Sequence, residues 1–324
     1  MSFQFRSLAR LASNANDTTS LQSEYWDTLL RKTAPVATLK QLRTRVSSIT
    51  NIQRVTNAMY MVAAAKMRRA QEAIESARPY AEQLDLTLRR LQAGVDADAH
   101  PLFQERPVER IAAIVITADR GLCGGFNGNV GRMARVELES HSTRNVDIEL
   151  TTVGRKGRDF LRHRGFDAEH HHADVFRDLN FAHAATIAQQ VTRDYVEGKV
   201  DRVLLIYSQF RSVANQIPVV QQLLPIRSDD TDDSSPTVAE DYIFEPDPDQ
   251  LLEALVPRHV NFQVWSALLA TNAGFFAAQM TSMDNATKNA GDLIDELTRE
   301  MNKERQSSIT LELMDIIGGA EAVA

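Results

Sequence analysis

VATLKQLRTRVSSITNIQRVTNAMYMVAAAKMRRAQEAIESAR, residues 36–78, holds no glycine and no proline, and its apolar side chains recur at spacings of three and four: Leu39, Leu42, Val46, Ile49, Ile52, Val55, Met59 and Val62. That pattern is one continuous helical face. A second stretch repeats it from about Asp249 to Ile317, through Val260, Val264, Leu268, Phe275, Ala286, Ala290, Leu293, Leu297 and Met301, then Ile309, Leu313 and Ile316. Gly318-Gly319 reads as its stop signal. At about 1.5 Å of rise per residue, the first helix, extended to Leu91, would be roughly 80 Å long and the second roughly 100 Å, beyond the usual three or four turns. Helices of that length need each other or an enclosing partner. Narrow stripes rich in Ala and Met favour a two-helix coiled coil, and the departure from a strict heptad predicts an irregular supercoil.

Charge divides the two helices. Between Val36 and Gln71 stand seven basic residues, Lys40, Arg43, Arg45, Arg54, Lys66, Arg68 and Arg69, with no acidic one; from Asp249 onward eleven acidic residues face five basic ones. Opposite charges beside an apolar seam select partner and register more than they stabilise, because exposed pairs contribute little. The basic block also points to an acidic surface nearby.

The chain has 324 residues, 43% of them apolar, and a net charge of −7, enough for two domains and acidic enough to argue against a nucleic-acid binder. No run of about 18 apolar residues is present, so no direct membrane insertion is expected. Cys123 is the single cysteine, which excludes an internal disulfide and a Cys-rich zinc site. Residues 1–36 differ in kind: Arg6 and Arg10 lie among Ser2, Ser7 and Ser13, with no acidic residue before Asp17. Three readings fit this extension: a transit peptide, a bacterial extension and a mis-assigned start. Pro35 separates it from the first helix.

Between the helices the periodicity changes. Ile111–Thr117 is an apolar run of strand length, followed by the glycine-rich GLCGGFNGN of residues 121–129 and a helical pattern to about Ser140. Val146–Val153 and Arg202–Tyr207 read as further strands, with helices near Lys156–Arg164 and Phe181–Glu197. This alternation predicts a small α/β domain with a largely parallel sheet. Residues 228–235, SDDTDDSS, read as an exposed acidic loop. Gly121, Gly124 and Gly125 do not give GxGxxG, and no Lys-Ser/Thr pair follows as in a P-loop, so a tight strand-to-helix turn packed on the long helices is expected rather than a nucleotide site. His163, His170, His171, His172 and His183 form the histidine cluster, but a consecutive trio cannot share one helix face. Neither a metal nor a cofactor is expected from them. No orienting group accompanies Cys123 as a nucleophile, and no acid/base pair stands out, so a catalytic site is the weaker expectation.

Three segments carry a resemblance: TNAMYMVAAAKMRRA at residues 56–70, TADRGLCGGF at 117–126 and MTSMDNATKNA at 280–290. Together, and in this order, they resemble the gamma subunit of the F-type ATP synthase, over about Leu39 to Ala324. The resemblance implies an α/β protein in which the terminal helices form a long antiparallel coiled coil, with a small Rossmann-like domain beside it. It implies a non-catalytic central-stalk rotor that couples ion-driven rotation to conformational change. Its partners would be the alpha and beta subunits of the catalytic ring, the epsilon subunit and the membrane c-ring. It would be a peripheral membrane protein on the cytoplasmic face of a bacterial membrane or, alternatively, on the matrix side of the mitochondrial inner membrane.

By position, Arg305 and Gln306, with Thr310 and Glu312, match the family segment that bonds a catch loop on a catalytic subunit; an Arg fork and a Gln amide suit a bond made and broken during rotation. Met59, Lys66, Arg68 and Arg69 match the helix facing the acidic lever of those subunits. Tyr242 and Glu245, in DYIFEP, match the foot on the membrane ring. Asn57, Tyr60, Met301 to Glu304 and Leu311 depart from the family pattern, which bears on the detail of the catch and lever contacts. The implied organisation is an extension at 1–36, a helix at 37–92, an α/β domain at 108–227, an acidic loop and foot at 228–248 and a helix at 249–324. A coiled-coil adaptor or scaffold with an α/β domain is the competing expectation, since it would use the same helices.

Overall fold

The first periodic stretch forms α1, Leu39–Gln92, in a computed structural model that describes residues 38–92, 100–226 and 247–321. Thr38 starts the helix as a capping box: Gln41 N–H donates to Thr38 Oγ1 at 3.4 Å, while Thr38 N–H donates to Gln41 Oε1 at 2.9 Å. The second periodic stretch is α5, Pro248–Glu321. Both run through a proline, Pro79 and Pro257. A proline inside a helix forfeits one hydrogen bond and crowds the preceding turn. Here buried residues follow each one, Leu84, Leu88 and Leu91 on α1 and Val260 and Val264 on α5. The helix also continues through Gly318-Gly319 to Glu321, past the expected stop. Glycine costs a helix only about 1 kcal/mol relative to Ala and does not by itself end one.

Five strands form one sheet: β1 Arg110–Ile116, β2 Asp147–Val153, β3 His170–His172, β4 Arg202–Ser212 and β5 Asn215–Leu224. Their order is β3-β2-β1-β4-β5, with β3, β2, β1 and β4 parallel and β5 antiparallel to β4. The parallel strands are joined through α2, Phe126–Ser142, α3, Arg155–Arg162, and α4, Phe181–Val196. One face of the sheet packs on α2 and α3 through Ala113, Val115, Val130, Ala134, Leu138 and Leu161. The other presents Ala112, Ile114, Ile116 and Val153 to Ile187 and Val191 of α4 and to Val256, Val260, Val264 and Leu268 of α5. A sheet covered on both faces explains why β1 is an unbroken apolar run.

The chain divides into two compact units, one of residues 52–289 and the other of the remaining residues at both ends. Within the larger unit, α1 and α5 run antiparallel. Thr287 Oγ1 donates to Thr56 Oγ1 at 2.8 Å, Lys66 Nζ lies 5.4 Å from the Phe276 ring centroid, and the rings of Tyr80 and Phe262 are 5.1 Å apart. As residue number climbs on one helix it falls by nearly the same amount on the other. The deepest line on this part of α1 repeats every seven residues: Ala63 and Ala70 are buried, as are Leu84 and Leu91, with Thr56 and Ala77 half-buried between them. That corrects the expected face, because Ile52, Val55 and Val62 are more than half exposed. Where Ala63 and Ala70 occupy the seam the helix backbones can approach closely, and Val55 and Val62 of the same stretch lie on the outward side. Charge complementarity is also used differently than expected. Arg68, Arg89 and Lys288 each pair with an acid four residues away on their own helix, Glu72, Asp85 and Asp284.

Candidate functional site

The glycine-rich segment is a turn packed on α5. Asn127 clamps it: its Oδ1 accepts from Ala118 N–H at 2.9 Å, and its Nδ2 donates to Arg120 O at 3.0 Å and Cys123 Sγ at 3.3 Å. Leu122 and Gly124 take positive φ values of 61° and 56° to make the bend. Cys123 and Phe126 then bury against Phe275, and a Cβ on Gly274 would meet Phe126 Cε2 at 2.9 Å. Burial pushes the Cys123 thiol up from its ordinary range, the opposite of what a thiolate nucleophile needs. The turn thus joins sheet to shaft.

The residues matched by position to the lever-facing helix lie on the part of α1 that belongs to the larger unit. Lys66, Arg68 and Arg69 are exposed, and Met59 is half-buried. Lys66 rests its ammonium over Phe276, which fixes the long side chain without removing its charge from solvent. Arg68 meets Glu72 at 3.4 Å, a solvent-exposed pair of small worth. Met59 and Lys66 border a groove of about 760 Å³, whose opposite walls are Asp119 and Arg120 after β1, Arg177, and Asn272 and Phe276 of α5.

The residues matched by position to the catch-bonding segment lie near the carboxy end of α5. Arg305, Gln306, Thr310 and Glu312 are all exposed. The Thr310 hydroxyl donates to Gln306 O at 2.9 Å, so it is turned onto its own helix, and Arg305, Gln306 and Glu312 offer the outward polar atoms. Tyr242 and Glu245 fall outside the described residues.

A third set was missed by the sequence reading. Ile309, Leu311, Leu313, Met314, Ile316 and Ile317 are 50–68% exposed at the end of α5. Reading a single stripe picked out Ile309, Leu313 and Ile316; Leu311, Met314 and Ile317 widen it to well over half of the circumference, and Ser308, Glu312 and Asp315 take the remaining side. An exposed apolar face this broad marks a surface made for contact with another chain. That signal was present in the sequence.

Two long helices, a small sheet domain that is mostly parallel and large apolar side chains exposed near the end of α5 define a class of protein built to contact other chains. A family model described as ATP synthase matches residues 38–323. An ATP synthase gamma chain of Pelotomaculum thermopropionicum is 44% identical over 285 residues, 88% of this chain and 99% of that one. One of Chlorobium phaeobacteroides is 41% identical over 292 residues, 89% and 99% of the two. This chain belongs to the ATP synthase gamma family, the non-catalytic central-stalk rotor subunits of that complex. Among solved structures, the central stalk and c-ring of the Tetrahymena thermophila mitochondrial ATP synthase matches with a TM-score of 0.53 at 26% identity, covering 72% of this chain and 99% of that one. A Euglena gracilis mitochondrial ATP synthase chain shares the fold, with a TM-score of 0.63 at 18% identity over 88% of this chain and 94% of that one. The adaptor or scaffold reading is not favoured. No described helix is long and apolar enough to cross a membrane.

Proposed function

We propose that the carboxy end of α5 turns inside a ring of alpha and beta subunits, and that this chain passes rotation from the membrane c-ring to their catalytic sites. The observation that carries the reading is the set of six large apolar side chains between Ile309 and Ile317, exposed over well more than half of the helix circumference. A rotating shaft needs a bearing that excludes water without gripping one register, and non-directional apolar contact meets that need. Arg305 and Gln306, one turn before these side chains, supply the directional counterpart, a bond to a catalytic subunit that breaks and reforms with rotation. Glu312 adds an acceptor among them. On α1, Lys66, Arg68 and Arg69 meet an acidic lever of the beta subunits, with Met59 as the apolar contact beside them. Tyr242 and Glu245, in the segment 228–248, serve as the foot on the c-ring and the epsilon subunit.

The working division of the chain keeps an extension at 1–36, a helix at 37–92, an α/β domain at 108–227 and a second helix at 249–324. The place we assign is the cytoplasmic face of a bacterial membrane, supported by the bacterial sources of the relatives above. Deleting Arg305–Ala324 from the assembled complex tests the function. The expected result is loss of proton-coupled ATP synthesis while the sheet domain stays folded. Full synthesis by the truncated complex contradicts the proposal.

A further inference from the structure

The outer edge of the sheet holds a side-chain cluster that shaft function does not use. β3 is a three-residue edge strand, held in parallel register on β2 with His170 opposite Thr151, and Glu169 N–H donates to Leu150 O at 2.9 Å just before it. Glu149, two residues before Thr151, lies on the same face of β2, the face toward α4. One ligand atom each from Glu149, Glu169 and His170 lie within 4.8 Å of one another. His170 Nε2 and Glu149 Oε1 are 3.7 Å apart, too far for a direct hydrogen bond. Zinc with bonds of about 2.0–2.2 Å holds tetrahedral neighbours roughly 3.4 Å apart, so small side-chain rotations would close the three atoms onto one ion.

We propose that Glu149, Glu169 and His170 bind a divalent metal ion, zinc in preference to magnesium or calcium, with water completing the coordination. An imidazole beside two carboxylates is a donor set suited to zinc, whereas the harder cations take oxygen ligands. The electrostatics agree with the geometry. The Glu149 and Glu169 carboxylates stand close together, and a cation between them relieves their mutual repulsion. Lys199 does not fill the role, because its ammonium is held by Asp194 at 3.3 Å and Glu197 at 2.7 Å. Arg193 also borders the cleft, about 650 Å³ in volume, and leaves room for an ion and its water. His171 is turned elsewhere, its Nδ1 3.0 Å from Thr152 Oγ1. The bound ion would tie the short edge strand β3 to β2.

The test uses the purified full-length chain, with zinc titrated calorimetrically and cobalt followed by its visible d–d absorption. One site with the intense spectrum of a four-coordinate cobalt centre is expected. Glu149→Gln, His170→Ala and Glu169→Gln should each weaken zinc binding by more than about tenfold, since even residues that merely orient a ligand cost about 10- to 100-fold. Glu169 is exposed, so its variant carries little risk to folding, and circular dichroism checks the other two. Unchanged binding in the Glu169→Gln chain, absence of saturable binding, or a loss that follows His172→Asn or His183→Asn instead would overturn the proposal.

Discussion

Two stretches of α5 share a helix and an apolar character yet meet opposite surroundings. From Val256 to Ala277 the helix is buried on most sides: Val256, Val260, Val264, Ala267, Leu268, Thr271 and Ala273 are almost wholly inaccessible. From Arg305 to Ala320 every residue is exposed, including six large apolar ones. Helix propensity does not distinguish them; what covers them does. The first stretch finds its cover in the sheet and α1 of its own unit, and the second is not covered by any of the described residues. Apolar content therefore stabilises the chain in one place and defines an interaction surface in the other.

The sharpest way to break that comparison is to truncate one side chain in each stretch of the isolated chain. Leu268→Ala should lower unfolding free energy by about 2–5 kcal/mol, as expected for a cavity in a filled core. Leu313→Ala should change it by less than about 0.5 kcal/mol. Equal losses measured by urea unfolding would erase the distinction. Gly274→Ala comes next. Its new Cβ would press on Phe126, and overpacking of this kind costs about 1–3 kcal/mol, read as a lower melting temperature.

The smallest effect is a pH dependence to which the buried stretch contributes through His259. Burial holds the His259 imidazole below its usual value of 6.5, with Asp85 opposing, so the unfolded chain binds the proton more readily. The stability this gives is complete above about pH 6.5 and is lost as pH falls below it toward the folded value. His100, His171 and His172 are lowered by burial in the same sense. Denaturant midpoints should fall between pH 7.5 and 5.5, and His259→Gln should flatten part of that fall. An unaltered slope in the variant would remove His259 from the account.

Much of the fold was legible in the sequence. Helical periodicity located α1 and α5, and the unbroken apolar run located β1. β3 was not legible, because three consecutive histidines carry no strand signal and their pairing with β2 is a tertiary fact. β5 was hidden by its polar residues and by Pro218, which is tolerated on an edge strand. The site divided in the same way. Lys66, Arg68, Arg69, Arg305 and Gln306 were singled out by resemblance alone, and their side chains are exposed. The seam on α1 differs from the stripe read through Ile52, Val55 and Val62, since Ala63 and Ala70 are buried and Val55 and Val62 face outward. Close helix packing favours the small residue, and composition alone does not show which side is crowded.

Hydrogen exchange of α5, compared between the isolated chain and the assembled ATP synthase, tests the central claim most directly. The account predicts strong new protection on assembly between Ile309 and Ile317, with Val256–Ala277 already protected in the isolated chain and little changed. Equal exchange of Ile309–Ile317 in both states would contradict it.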